Sequence, residues 1–145
     1  IEPLKFVVPI NHPLSGQKSI TPSKLRGEKI LTLEEKHHFH LQVQEICERW
    51  GADLQRDYEG TSLDTLRQMV VMGMGVAFLP GLYVHSEMHN PEALYVCELR
   101  NIPILRKHAL VWRANSPNRV FYRELAADLR TIINNRLRDV IVATR

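Results

Sequence analysis

Three histidines crowd one short stretch, His37, His38 and His40, and Cys47 follows a little further on. Imidazoles suit zinc or copper, and His37 and His40 would fall on one face of a helix. Cys47 cannot complete such a set on a straight helix, because it lies about 10.5 Å beyond His40 along the axis. No HExxH spacing is present. His37 and His40 are therefore weak metal candidates, and no metal or other cofactor is expected. A polar helix start carrying histidines is the plainer reading.

Cys47 and Cys97 are the two cysteines, too few for a disulfide framework and without a CxxC spacing. Each reads first as a small buried apolar residue, with redox chemistry as the alternative. Thr61 and Ser62 precede an apolar-periodic run. Hydroxyls and unpaired N–H groups at a helix start can receive a small anion or carboxylate, and an ordinary N-cap fits the same residues. No nucleophile sits at a defensible spacing from a base, there is no Gly-rich phosphate loop, and Gly73-Met74-Gly75 is too short for a dinucleotide fingerprint. An enzyme is not expected.

The elements that must position these groups follow from apolar spacing. Leu4 to Val8 reads as a buried strand, closed by Pro9, Asn11 and His12-Pro13. Thr21-Pro22-Ser23 opens a short helical turn ending at Gly27, and Lys29 to Leu33 is a second strand. From His38 to Trp50, apolar Phe39, Val43, Ile46, Cys47 and Trp50 recur at helical spacing, with Gly51 as the C-terminal cap. Leu54 to Tyr58 predicts a strand, and Ser62 to Met72 a helix that breaks at Gly73-Met74-Gly75. Val76 to Leu79 is continuously apolar, as in a strand covered on both faces. Tyr83 to Asn90 predicts a short helix and loop, Leu94 to Leu99 an edge strand, and His108 to Arg113 another strand. After Ser116-Pro117 a long helix carries one apolar stripe from Val120 to Ile141. Strands alternating with helices argue for an α/β domain with a mainly parallel sheet. The last stripe needs a larger partner surface than the preceding residues offer.

With 145 residues, 44% hydrophobic and 24% charged, the chain falls in the single-domain range. The net charge of +3 lies entirely in the residues from Ser116 onward, where six Arg face three acids. Those Arg alternate with Glu124, Asp128 and Asp139, the pattern of a solvated helix face rather than a nucleic-acid surface. No run is long and apolar enough to span a bilayer, and Ile1 to Pro9 lacks the layout of a secretory signal, so a cytoplasmic location without membrane contact is expected. The opening Ile1-Glu2-Pro3, without Met, reads as a piece of something longer.

Several segments together resemble one family. Glu59 to Val70, followed by Gly73 to Pro80, resembles the strand, helix and Gly-x-Gly-strand-Leu-Pro segment of LysR-type effector domains. His12-Pro13-Leu14 is similar to that family's turn after its first strand, Leu31 to Glu35 to its second strand, and Trp112-Arg113 with Ser116-Pro117 to the crossing into its terminal helix. The matches run in family order over nearly the whole chain. The resemblance implies a Rossmann-like, periplasmic-binding-protein-like second lobe over residues 1–107, and over 108–145 the strand and helix that return to complete the first lobe. The rest of that lobe and an N-terminal winged helix-turn-helix are expected to lie outside this sequence.

Glu34 to Cys47 resembles the sensing region of the peroxide-responsive OxyR branch. There His37 falls on a family histidine, Cys47 on the partner cysteine, and His38 on the peroxide-reactive cysteine. In that branch a disulfide between positions 38 and 47, about 13.5 Å apart on a helix, requires the helix to unravel. Imidazole forms neither a sulfenic acid nor a disulfide, so sensing here would need another route. The resemblance also sets Thr61 and Ser62 facing the effector cleft and Arg106 near the sensing pocket. It implies a regulator of transcription in the oxidative-stress or small-effector class, with DNA bound through the missing helix-turn-helix and a homodimer or homotetramer for the whole protein. The Ser62 to Met72 helix is similar to one used in family dimers, so this chain alone is expected not to reproduce that dimer. A solute-binding domain for a small anion, with no link to DNA, remains the alternative.

Overall fold

In the computed structural model, residues 1–88 and 93–143 are described; Asn90, the expected end of one helix and loop, lies outside them. Seven strands make one sheet: β1 (Glu2–Pro9), β2 (Ser19–Ile20), β3 (Lys29–Leu33), β4 (Asp53–Gly60), β5 (Val76–Pro80), β6 (Leu94–Leu99) and β7 (Leu105–Arg106). Their order is β2-β6-β1-β5-β3-β4, with β7 paired to the first residues of β1. The helices are α1 (His38–Trp50), α2 (Leu63–Val71), α3 (Gly81–Glu87) and α4 (Arg119–Ile132), which runs on into a π-helical turn, Ile133–Leu137.

The sheet is mixed rather than mainly parallel. β3 runs parallel to β4 and β5, but β1 runs antiparallel to β5, β6 and β7. Apolar runs mark strands buried on both faces whichever way their neighbours point, so strand direction was beyond the pattern. β6 pairs with β1 on one side and only with the two-residue β2 on the other, close to the edge position expected of it.

Helices α1, α2 and α3 pack on this sheet. Phe6, Val7, Val8, Leu25, Ile30, Leu31, Val43, Leu66, Val70, Phe78 and Leu79 form one buried core. Phe6 and Phe78, opposite each other on β1 and β5, bring their rings to 5.1 Å. Gly51 ends α1 in the left-handed region at φ 69°, as its place in the sequence predicts. Gly75 has a different reason: a Cβ there would lie 2.7 Å from the Lys29 carbonyl oxygen, so only glycine lets the turn before β5 lie against β3.

The strand expected at His108 to Arg113 does not form. Only β7 pairs, just before it, and Leu110 and Val111 stand exposed, Val111 at 87%. A strand needs a neighbour's N–H and C=O groups, and the described residues offer none there. The long last helix does form, and its stripe is unburied: Val120, Phe121, Leu125, Leu129 and Ile132 are exposed, while Ala126 and Ile141 are covered.

Candidate effector site

β3, β4 and β5 run the same way, and α1, α2 and α3 begin where they end. In open α/β sheets this carboxyl edge is where ligands bind, because helix N-termini present unpaired N–H groups there. The Glu34 N–H donates to the Gly60 carbonyl at 3.2 Å, which sets the loop before α1 beside the turn before α2. His37, His38, Thr61 and Ser62 thereby share one rim.

Their individual settings differ. His37 occupies the N-cap position of α1 with extended backbone and no side-chain cap bond, and His38, the first helical residue, is exposed. Ser62 is the N-cap of α2, its hydroxyl accepting from the Thr65 N–H at 3.1 Å. Thr61 is exposed, its hydroxyl 3.4 Å from that of Thr65. Both hydroxyls are thus engaged locally, as an ordinary cap requires.

Arg106 joins this end of the sheet through α1. Its guanidinium lies 5.6 Å from the Phe39 ring centre and 3.6 Å from the Glu2 carboxylate. Gln42 donates to the Leu105 carbonyl at 3.0 Å, so two residues of α1 hold β7. Arg106 is therefore a half-buried group held against Phe39 and Glu2 rather than a freely solvated one. Among the described residues no hydrogen bond links Thr61 or Ser62 to His37, His38 or Arg106.

The histidine group expected as a weak metal set is not assembled. His40 turns inward, 2% exposed, with Nδ1 at 2.9 Å from the Leu33 carbonyl and 3.7 Å from Glu59 Oε1. His37 does not join that cluster, because as the N-cap it has extended backbone and lies outside the helix whose face His40 occupies, and His38 is exposed where His40 is buried.

Both cysteines are buried. Burial pushes the Cys47 thiol up to about 11, helped by the nearby charges of Asp53 and Glu48, and burial alone does the same for Cys97, also to about 11. The Cys97 thiol points at the Leu14 carbonyl, 3.7 Å away. Neither is a thiolate near neutral pH, and the thiolate is the reactive form.

Sequence reading missed a buried acid. Glu2 is 1% exposed; one carboxylate oxygen accepts from the Leu82 N–H at 2.8 Å at the start of α3, and the other lies 2.6 Å from His108 Nε2. Its partners are 80 and 106 residues away, so no local pattern announces them. A second unannounced cluster ties α3 to α2: the Tyr83 hydroxyl donates to Asp64 at 2.6 Å and accepts from Arg67 at 3.2 Å.

Residues 2–132 match the LysR substrate binding domain. The chain belongs to that LysR family. A hydrogen peroxide-inducible genes activator of Pectobacterium carotovorum is 37% identical over 129 residues, 89% of this chain and 42% of the relative. The DNA-binding transcriptional dual regulator OxyR of Escherichia coli K12 is 35% identical over the same shares. The reduced form of OxyR superposes with TM-score 0.79 at 29% identity, covering 94% of this chain and 63% of that one, and the oxidised form with 0.78 at 32%. The LysR chain therefore has the fold of OxyR regulatory domains and spans under half the length of these curated relatives. They are transcription regulators rather than enzymes. No helix among the described residues is long and apolar enough to cross a membrane.

Proposed function

We propose that this LysR chain is the effector-sensing part of a transcription regulator that answers oxidative stress or a small effector, and that sensing occurs at the rim of His37, His38, Thr61, Ser62 and Arg106 without thiolate chemistry. One observation carries the second half: both thiols are buried, with their pKa values pushed up to about 11. His38 is exposed, and by the resemblance it falls on the branch's reactive cysteine. The names of the relatives support the first half.

Residues 1–107 are then the second lobe, and 108–145 the strand and helix that complete a first lobe. This reading accounts for the unpaired Leu110 and Val111 and for the exposed stripe on α4, which a first-lobe sheet would cover. An open groove of about 860 Å³ runs there between the 110–117 segment and Tyr122 and Leu125. DNA contact falls to another part of the regulator, because residues 1–115 carry balanced charge and the Arg of α4 alternate with acids. The whole regulator works as a homodimer or homotetramer in the cytoplasm.

Mass spectrometry of the full-length regulator after peroxide tests the mechanism. Cys47 and Cys97 are expected to remain thiols at a dose that changes reporter transcription; a sulfenic acid or disulfide at either overturns thiol-free sensing. In a companion variant, His38→Cys, peroxide should oxidise the new thiol and Cys47 to a disulfide while being reduced to water. If no peroxide-dependent disulfide forms in that variant, the placement of His38 at the reactive position is wrong.

A further inference from the structure

We propose that Glu35, His40 and Glu59 form a binding site for a divalent first-row transition ion, which would tie the start of α1 to the end of β4. One ring nitrogen of His40, a carboxylate oxygen of Glu35 and one of Glu59 lie within 4.8 Å of one another. They come from three places in the fold, namely the loop after β3, the first turn of α1 and β4, so their meeting is a product of the tertiary structure. His40 is 2% exposed, and its Nδ1–H donates to the Leu33 carbonyl, which fixes the ring and leaves Nε2 as the nitrogen able to hold an ion. Anchoring an imidazole by a backbone carbonyl is how proteins orient a histidine toward a metal.

A further buried polar group points to the same place. Thr32 lies opposite Glu59 in the β3–β4 register, and its hydroxyl oxygen is fully buried without a hydrogen-bond partner. Residues paired across parallel strands project to the same face of the sheet, so Thr32 stands on the side from which Glu59 reaches His40. The hydroxyl is suited to accept from a water on the ion.

The donor set selects the ion class. One imidazole and two carboxylates suit zinc, manganese or ferrous iron, whereas calcium takes six to eight oxygens. Ligands of such an ion sit about 3.5 Å apart, so the group has to contract slightly. Glu35 can supply that movement, being exposed. Its present partner, Arg56, is 3.4 Å away on an equally exposed side chain, a weak pairing that an ion displaces. Neighbouring Glu34 is already engaged by Lys36, which holds its carboxyl below the usual range.

Zinc titration of the purified protein, followed by calorimetry and thermal melting, tests the site. One ion per chain and a raised Tm are expected. Glu35→Gln and Glu59→Gln should each weaken binding about tenfold or more, while a His37→Ala/His38→Ala double variant keeps the affinity. The two Gln variants, matched in size, are preferred to His40→Ala, which would open the core. The imidazole resonances of His40 should shift on titration in the unaltered protein. No binding, or binding that survives both Gln variants and disappears with His37 and His38, overturns the proposal.

Discussion

Cys47 and Cys97 are of one residue type with the reactive cysteines of redox sensors, and it is their buried surroundings that hold back their ionisation. A thiol at about 11 is ionised to roughly one part in several thousand near pH 7.5, against about three parts in a hundred for one titrating near 9. Alkylation of the native protein should therefore run on the order of a hundredfold slower than after unfolding, and intact-mass measurement with and without denaturant checks this. The same shift has a pH consequence. A thiol whose pKa is raised on folding from about 9 to about 11 stabilises the fold below pH 9, and that stability is lost as pH climbs from 9 to 11. The loss should be on the order of 2 kcal/mol per thiol, read from urea midpoints at pH 8 and pH 11. Ser62 offers a residue-scale contrast, because its hydroxyl bonds Thr65 in the open. Ser62→Ala should cost about 1 kcal/mol in the same urea assay, whether or not an effector binds.

At the scale of elements, Glu2 joins three parts of the chain: it begins β1, receives the start of α3 through Leu82, and meets Arg106 and His108 at β7 and beyond. Replacing it with alanine leaves the part-buried Leu82 N–H, the Arg106 guanidinium and the His108 ring without their acceptor. Glu2→Ala should lower unfolding free energy by about 1–3 kcal/mol, and His108→Ala, whose side chain is half exposed, by less. Equal effects from the two variants would show that Glu2 matters only through His108. The helices and most strands were legible because their periodicity is local: α1 ends at Gly51, α2 starts at Ser62 and breaks at Gly73 as expected. His108 to Arg113 shows the limit, since an extended apolar run becomes a strand only where a neighbour supplies hydrogen bonds.

For the molecule as a whole, the exposed face of α4 is the feature with most consequence. Phe121 is 59% exposed and contributes little burial here. Phe121→Gln should change the stability of this chain by no more than about 0.5 kcal/mol. In a longer chain carrying a first lobe, the same substitution should cost about 3 kcal/mol; equal small effects in both would mean that the stripe stays open. Paired melts of the two lengths decide it.

Residue order alone determined the α/β class, the boundaries of α1 and α2, the apolar stripe of α4 and the family, because each rests on local spacing or on ordered motifs. It also singled out His37, His38, Thr61 and Ser62, whose common rim follows from their positions at helix starts. The tertiary structure decided the rest. It set β1 antiparallel among its neighbours, buried both thiols beyond ready ionisation, and turned His40 away from the other histidines toward Glu35 and Glu59. It also gave Glu2 partners from the far end of the sheet. Burial and long-range contact set charge, reactivity and ligand geometry, and both depend on residues that sequence spacing keeps far apart.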